Sequence, residues 1–288
     1  MIFDTSIVAV WHLVLLLAVF VTMFSLLASL HKKRPVAWRV HSTGKPIYFI
    51  GWLLGLVIMI PAALLLDSTQ LVWGLVGSTL MIILIGRLDE DRAISARRQM
   101  FWQLLIAGWA VYFGWTIPYI SNPFGSGVIM LGFGGGVLAF VWFLICMNAM
   151  NFLDGTDGLA TLVGIIAFVA LAGISLLPAT QDPVTLVLSF TAIGALLAFF
   201  LWNAPSARVY LGTSGSWFLG LFLGMTAIVG GGKIATAFIV LAIPVLDALF
   251  VVLYRAFTRK NPTKGDTTSH IHHRLQRARV SPWGVLLI

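Results

Sequence analysis

The sequence predicts an all-α, polytopic integral membrane protein with about nine complete transmembrane helices, and three observations predict it. The 288 residues are 59% hydrophobic and only 10% charged, an apolar share far above that of an ordinary soluble domain. Apolar runs of about 20 residues, the length that crosses a hydrocarbon core, recur along the whole chain. Of the 18 lysines and arginines, 17 fall on alternate connections between those runs, leaving Lys233 alone on the other side.

In order, the runs are 6–30, 47–66, 69–86, 100–120, 126–150, 158–178, 183–202, 215–232 and 234–256. The first is too long for the apolar region of a secretory signal and lacks a small-residue cleavage site, so it reads as a retained helix. A tenth run opens at Pro282 and stops at Ile288, too short to span, which reads either as a shortened member of a ten-helix or larger group or as a truncated C-terminus. The expectation is one membrane-embedded domain over 1–288.

The basic connections carry Lys32, Lys33, Arg34, Arg39 and Lys45, then Arg87, Arg92, Arg97 and Arg98, then Arg208, then seven cations from Arg255 to Arg279. The positive-inside rule makes these loops cytoplasmic and the N-terminus external. That rim accounts for the net charge of +8 and suits anionic headgroups, so no nucleic acid is called for. The lone Cys146 can form no intrachain disulfide. Trp11, Trp38, Tyr48 and Trp202 read as interfacial anchors, and His12 as an interhelical partner. Gly132-Phe133-Gly134-Gly135-Gly136 reads as close helix packing.

The chemistry concentrates in Asn148-Ala149-Met150-Asn151-Phe152-Leu153-Asp154-Gly155-Thr156-Asp157-Gly158. Two carboxylates and two carboxamides sit here between charge-free runs, Gly127–Cys146 and Leu159–Pro178, where polar groups are costly unless they have a task. On the same predicted face lie Asp89-Glu90-Asp91, Asn203-Ala204-Pro205, Gly212-Thr213-Ser214-Gly215-Ser216 and His270-Ile271-His272-His273-Arg274. Carboxylates and carboxamides suit Mg2+ bound to a pyrophosphate, and histidine and arginine suit the remaining phosphate charge. The 212–216 turn offers backbone N–H groups for an anion, if it is more than a plain turn into a helix. His-X-His-His alone would suggest zinc, but no cysteine lies near and the surroundings are basic.

These motifs resemble, in order, those of the polyprenyl-phosphate N-acetylhexosamine-1-phosphate transferases, over about His41 to Ser281. Arg87-Leu88-Asp89-Glu90 is similar to the family's Gly-Leu-Asp-Asp element, and the 148–158 stretch is close to its signature. Asn203 to Ala207, Gly212 to Ser216, Pro244-Val245-Leu246-Asp247 and the histidine motif follow. The last, with Leu275-Gln276-Arg277-Ala278, looks more like the GlcNAc-type branch than the muramoyl-pentapeptide branch. Two positions depart: Glu90 stands where the family has a second Asp, and Thr213 where it has a metal-binding Asp.

The resemblance implies transfer of N-acetylhexosamine-1-phosphate from a UDP-sugar to a polyprenyl phosphate such as undecaprenyl phosphate. UMP is released and Mg2+ is required, at the cytoplasmic face of the inner membrane, as the first membrane step of a cell-envelope glycan pathway. A homodimer is left open. By motif position, Asp89, Glu90 and Asp154 are catalytic, and Asn151, Asp154 and Thr213 hold the metal. Lys45, Asn148, Asp157, Asn203, Asp247, His270, His272, His273 and Arg274 bind substrate, with Asp157 and Asn203 on the uridine nucleotide. Thr213 also favours the alternative, a catalytically impaired member that binds polyprenyl phosphate or nucleotide without turning it over. A transporter would place its charges nearer the midplane.

Overall fold

The computed structural model describes residues 5–33, 39–40, 46–122, 125–178, 180–229, 242, 275 and 278–287. Lys45, Asp247, His270, His272, His273 and Arg274 lie outside the described residues, as does nearly all of the expected span 234–256.

The described chain is mostly helical: α1 (Thr5–Lys33), α2 (Gly51–Leu65), α3 (Thr69–Arg92), α4 (Ala96–Tyr112), α5 (Phe133–Leu153), α6 (Leu159–Ser175), α7 (Pro183–Asn203), α8 (Gly212–Ile228) and the short α9 (Pro282–Leu287). Three of them, α3, α5 and α7, are long and apolar enough to cross a membrane. With 15 residues, α2 extends only about 22 Å at the α-helical rise. The start of α7 follows local rules: Pro183 occupies its first turn and the Asp182 carboxylate accepts from Val184 N–H at 3.1 Å.

The connections add five short strands to this helical architecture: β1 (Arg39–Val40), β2 (Pro46–Phe49), β3 (Tyr119–Ser121), β4 (Val128–Met130) and β5 (Val209–Tyr210). β3 and β4 form an antiparallel hairpin with Ile120 opposite Ile129. They break the two apolar runs read as 100–120 and 126–150, because Gly114, Gly127 and Gly132 adopt φ of +93°, +98° and +49°, which helices exclude. Apolar composition alone does not distinguish such a connection from a helix. The second sheet has the order β1-β2-β5. Its β2 and β5 run parallel, with Tyr48 opposite Val209, joining the α1–α2 connection to the start of α8.

The core centres on α8, buried along its length except at Thr213, and packed against α2, α3 and α5. Glycine permits the closest approaches: a Cβ at Gly86 would lie 2.4 Å from Ser214 Cα, and one at Gly220 would lie 2.3 Å from the Cys146 carbonyl oxygen. Outside this centre, α7 packs against α1 and α6. The C-terminal ends of α3, α5 and α7 and the N-terminal end of α8 meet at one end of the bundle, through the contacts described next.

Candidate active site

At the N-terminus of α8 the first N–H groups have no helical partner, and the helix dipole makes this end positive. Carboxylates from two other helices occupy it. The Gly212 N–H favours the charged form of the Asp154 carboxyl, and Ser214 donates to Glu90 Oε1 through its N–H at 3.1 Å and its hydroxyl at 2.6 Å. Of the N–H groups that the 212–216 turn offers an anion, that of Ser214 is taken by the protein's own Glu90.

Asp89 and Glu90 are both buried at the end of α3, which stops where Ala93 turns left-handed at φ +48°. Asp89 Oδ1 accepts from Ile94 N–H at 2.8 Å and Gln99 Nε2 at 3.0 Å, and its Oδ2 accepts from the Thr213 hydroxyl at 2.5 Å. Glu90 Oε2 accepts from Arg87 at 3.1 Å. Each acid thus has one oxygen bonded within its own helical hairpin and the other bonded to α8.

The last turn of α5 faces the same place. Asn151 Oδ1 accepts from the Ser216 hydroxyl at 3.0 Å, while Asn148 donates to Gln103 Oε1 and to the Leu144 carbonyl, each at 2.8 Å. Asp154 follows α5 as its cap. Burial pushes its carboxyl well above the ordinary carboxylate range, and the charges of Glu90 and Asp157 add to this against the Gly212 N–H.

Asp157 holds the loop after α7: its Oδ2 accepts from Ser206 and Ala207 N–H, both at 3.1 Å, with Ser206 at φ +73°. Burial, then the neighbouring Asp157, pushes the Tyr210 phenol up. Asn203 is 2% exposed, accepts from Thr161 at 2.6 Å and donates to the Val209 carbonyl at 2.8 Å. Its amide joins α6, α7 and β5.

Among the described residues no three His, Cys, Asp or Glu side chains form a metal cluster. The hard oxygens of Asp154 and Asn151 nevertheless suit Mg2+, which takes one or two carboxylates and completes its shell with water and substrate phosphates. The unfavourable charge at Asp154 is of the kind a dication offsets.

A family model described as glycosyl transferase family 4 matches residues 72–231, more than half of the chain and all of the geometry above from Arg87 to Ser216. The chain belongs to glycosyl transferase family 4. It is 31% identical over 228 residues to a probable undecaprenyl-phosphate N-acetylglucosaminyl 1-phosphate transferase of Bacillus subtilis, covering 77% of this chain and 63% of that protein. It is 31% identical over 208 residues to an undecaprenyl-phosphate alpha-N-acetylglucosaminyl 1-phosphate transferase of Thermotoga maritima, covering 72% and 62%. A phospho-N-acetylmuramoyl-pentapeptide-transferase of Synechococcus is 33% identical over 200 residues, covering 67% and 57%. The matched region spans less than two thirds of each relative's length.

In this glycosyl transferase family 4 chain, Asp89, Glu90, Asn151, Asp154 and Thr213 come together at the end of α8. Asn148 stands one turn before Asn151, on Gln103. Gln99 and Gln103, which the sequence motifs do not include, hold those residues together with Ser214 and Ser216 of the 212–216 motif. The glutamines carried a usable signal: they sit one turn apart on the stripe 99, 103, 106, 107 and 110 of α4, whose last four members are buried. A polar pair on such a stripe needs partners.

Proposed function

We propose that this protein transfers N-acetylhexosamine-1-phosphate from a UDP-sugar to a polyprenyl phosphate, releasing UMP and opening a cell-envelope glycan pathway. The observation that carries this reading is the convergence of Asp89, Glu90, Asn151 and Asp154 on one helix end. Family membership and the activities named for the relatives support the donor and acceptor classes.

In this reading an acceptor phosphate oxygen attacks the sugar-bearing phosphorus, and the bond from that phosphorus to UMP breaks. Asp89 Oδ2, bonded only to Thr213 among the described residues, orients the acceptor phosphate or takes its proton. Glu90 holds the start of α8 through Ser214, which keeps Thr213 beside Asp89. Asp154 and Asn151 would hold Mg2+, with the Thr213 oxygen at the edge of that site. Bound there, Mg2+ supplies positive charge against the pyrophosphate. Asn148, Lys45, Asp247, His270, His272, His273 and Arg274 complete the substrate site, and Asp157 and Asn203 shape it by fixing the 204–210 loop.

The charge bias supports nine spans, an external N-terminus and a cytoplasmic site in the inner membrane. There a soluble sugar nucleotide meets a lipid phosphate at the bilayer surface. The test is incubation of the purified 288-residue protein with several UDP-N-acetylhexosamines and undecaprenyl phosphate, following UMP with and without Mg2+. Mg2+-dependent UMP release is the expected result. Binding of polyprenyl phosphate without UMP from any donor would replace this reading with the non-catalytic one.

A further inference from the structure

We propose that Gln99 is a positioning residue that fixes the plane in which the Asp89 carboxylate is presented to substrate. The inference rests on the transferase reading, in which Asp89 acts on the acceptor phosphate.

A carboxylate has about four acceptor positions, two on each oxygen. On Asp89 both positions of Oδ1 are filled, by Ile94 N–H at 2.8 Å and by Gln99 Nε2 at 3.0 Å. Oδ2 accepts the Thr213 hydroxyl and has a second position left. The Ile94 bond alone fixes one point of the carboxyl group and leaves it free to rotate about its own axis. The Gln99 amide adds a second donor to Oδ1 from a different helix. Rotation would then break two bonds on one side and one on the other. Gln99 thereby holds Oδ2 toward α8, in line with Thr213.

The support is built into α4. Gln99 opens the inward stripe of that helix, and Gln103 one turn later is 1% exposed and holds Asn148 of α5. One helix therefore braces polar residues of two others. The remaining stripe members Ile106, Ala107 and Ala110 are buried and anchor the brace. Packing alone would be served by a leucine at 99, whereas the Nε2 donor serves only Asp89 among the bonds found.

The test compares Gln99→Leu and Gln99→Glu with wild type for kcat and KM toward the UDP-sugar and undecaprenyl phosphate. Gln99→Leu keeps volume and removes the donor, so kcat should fall about tenfold or more, the cost of a small misplacement, with both KM values within about twofold. Gln99→Glu keeps the size and shape but turns a donor into an acceptor facing Asp89 Oδ1, so its kcat should fall further than that of Gln99→Leu. A packing role predicts the opposite order, with Gln99→Glu nearest to wild type, and that order overturns the inference. So does wild-type kcat in both variants. Should Gln99→Leu fail to fold, Gln99→Glu against Gln99→Lys, which restores a donor, gives the same decision: recovery by lysine supports the role and equal loss overturns it. Wild type without turnover sinks the transferase reading itself, and with it this role.

Discussion

Replacing Thr213 by aspartate tests the charge balance of the site most directly. The Thr213 hydroxyl lies 2.5 Å from Asp89 Oδ2, so Thr213→Asp sets a second carboxylate against a buried one. Two such charges about 4 Å apart repel by about 4 kcal/mol at an effective dielectric constant near 20. The lost charged hydrogen bond adds about 1.5 kcal/mol or more. Without metal, the variant should melt well below wild type above neutral pH. The deficit should shrink as pH falls, because the crowded pair takes up a proton. A dication between the carboxylates reverses the sign, so MgCl2 should raise the melting temperature of Thr213→Asp far more than that of wild type. In the UMP assay the restored carboxylate should raise the rate at least about tenfold, about 1.4 kcal/mol in the barrier. Chelation should abolish the gain. Equal melting curves with and without Mg2+ for the two proteins would refute the assignment of position 213 to the metal site.

Other consequences can be measured on the same preparation. Because burial and like charges hold the Asp154 carboxyl above its ordinary range, the metal-free protein should lose stability as pH rises through that raised value. Asp154→Asn should flatten this slope in thermal melts while stopping UMP release. Ser214→Ala removes the 2.6 Å bond to buried Glu90 and should cost about 1.5–3 kcal/mol, read as a lower denaturation midpoint. Cysteines introduced by Ser269→Cys and Thr180→Cys into a Cys146→Ala background should react with an impermeant thiol reagent from opposite sides of the membrane. Labelling of both from the outside would overturn the topology.

The helices were legible where a single periodic apolar run met a local stop. Residues 183–202 start at an Asp-Pro cap and matched α7 to within one residue. The run 47–66 misled because Ile47-Tyr48-Phe49 leads without a polar break into the helix that follows, and only pairing, with β1 on one side and with Val209 and Tyr210 on the other, makes it a strand. In the site, Asp89, Glu90, Asn151 and Asp154 could be picked from the sequence because acids and amides beside hydrocarbon stand out. The bonds that Asp157 makes to Ser206 and Ala207 could not, since they join residues 49 and 50 positions apart. Nor could the bonds of Asn203 to Thr161 and Val209, because a buried structural amide and a binding amide look alike in a sequence.

The order in which the chain is made gives the burial of α8 a further meaning. Ribosomes deliver α3 with Asp89 and Glu90 first, then α5 with Asp154, and only afterwards the segment from Gly212. Until then three acids stand at a helical bundle whose central place is empty, without the Gly212, Thr213 and Ser214 donors. Arrival of α8 fills the core and brings the Thr213 and Ser214 donors to Asp89 and Glu90 together, so the packing of the bundle and the pairing of its acids depend on one segment.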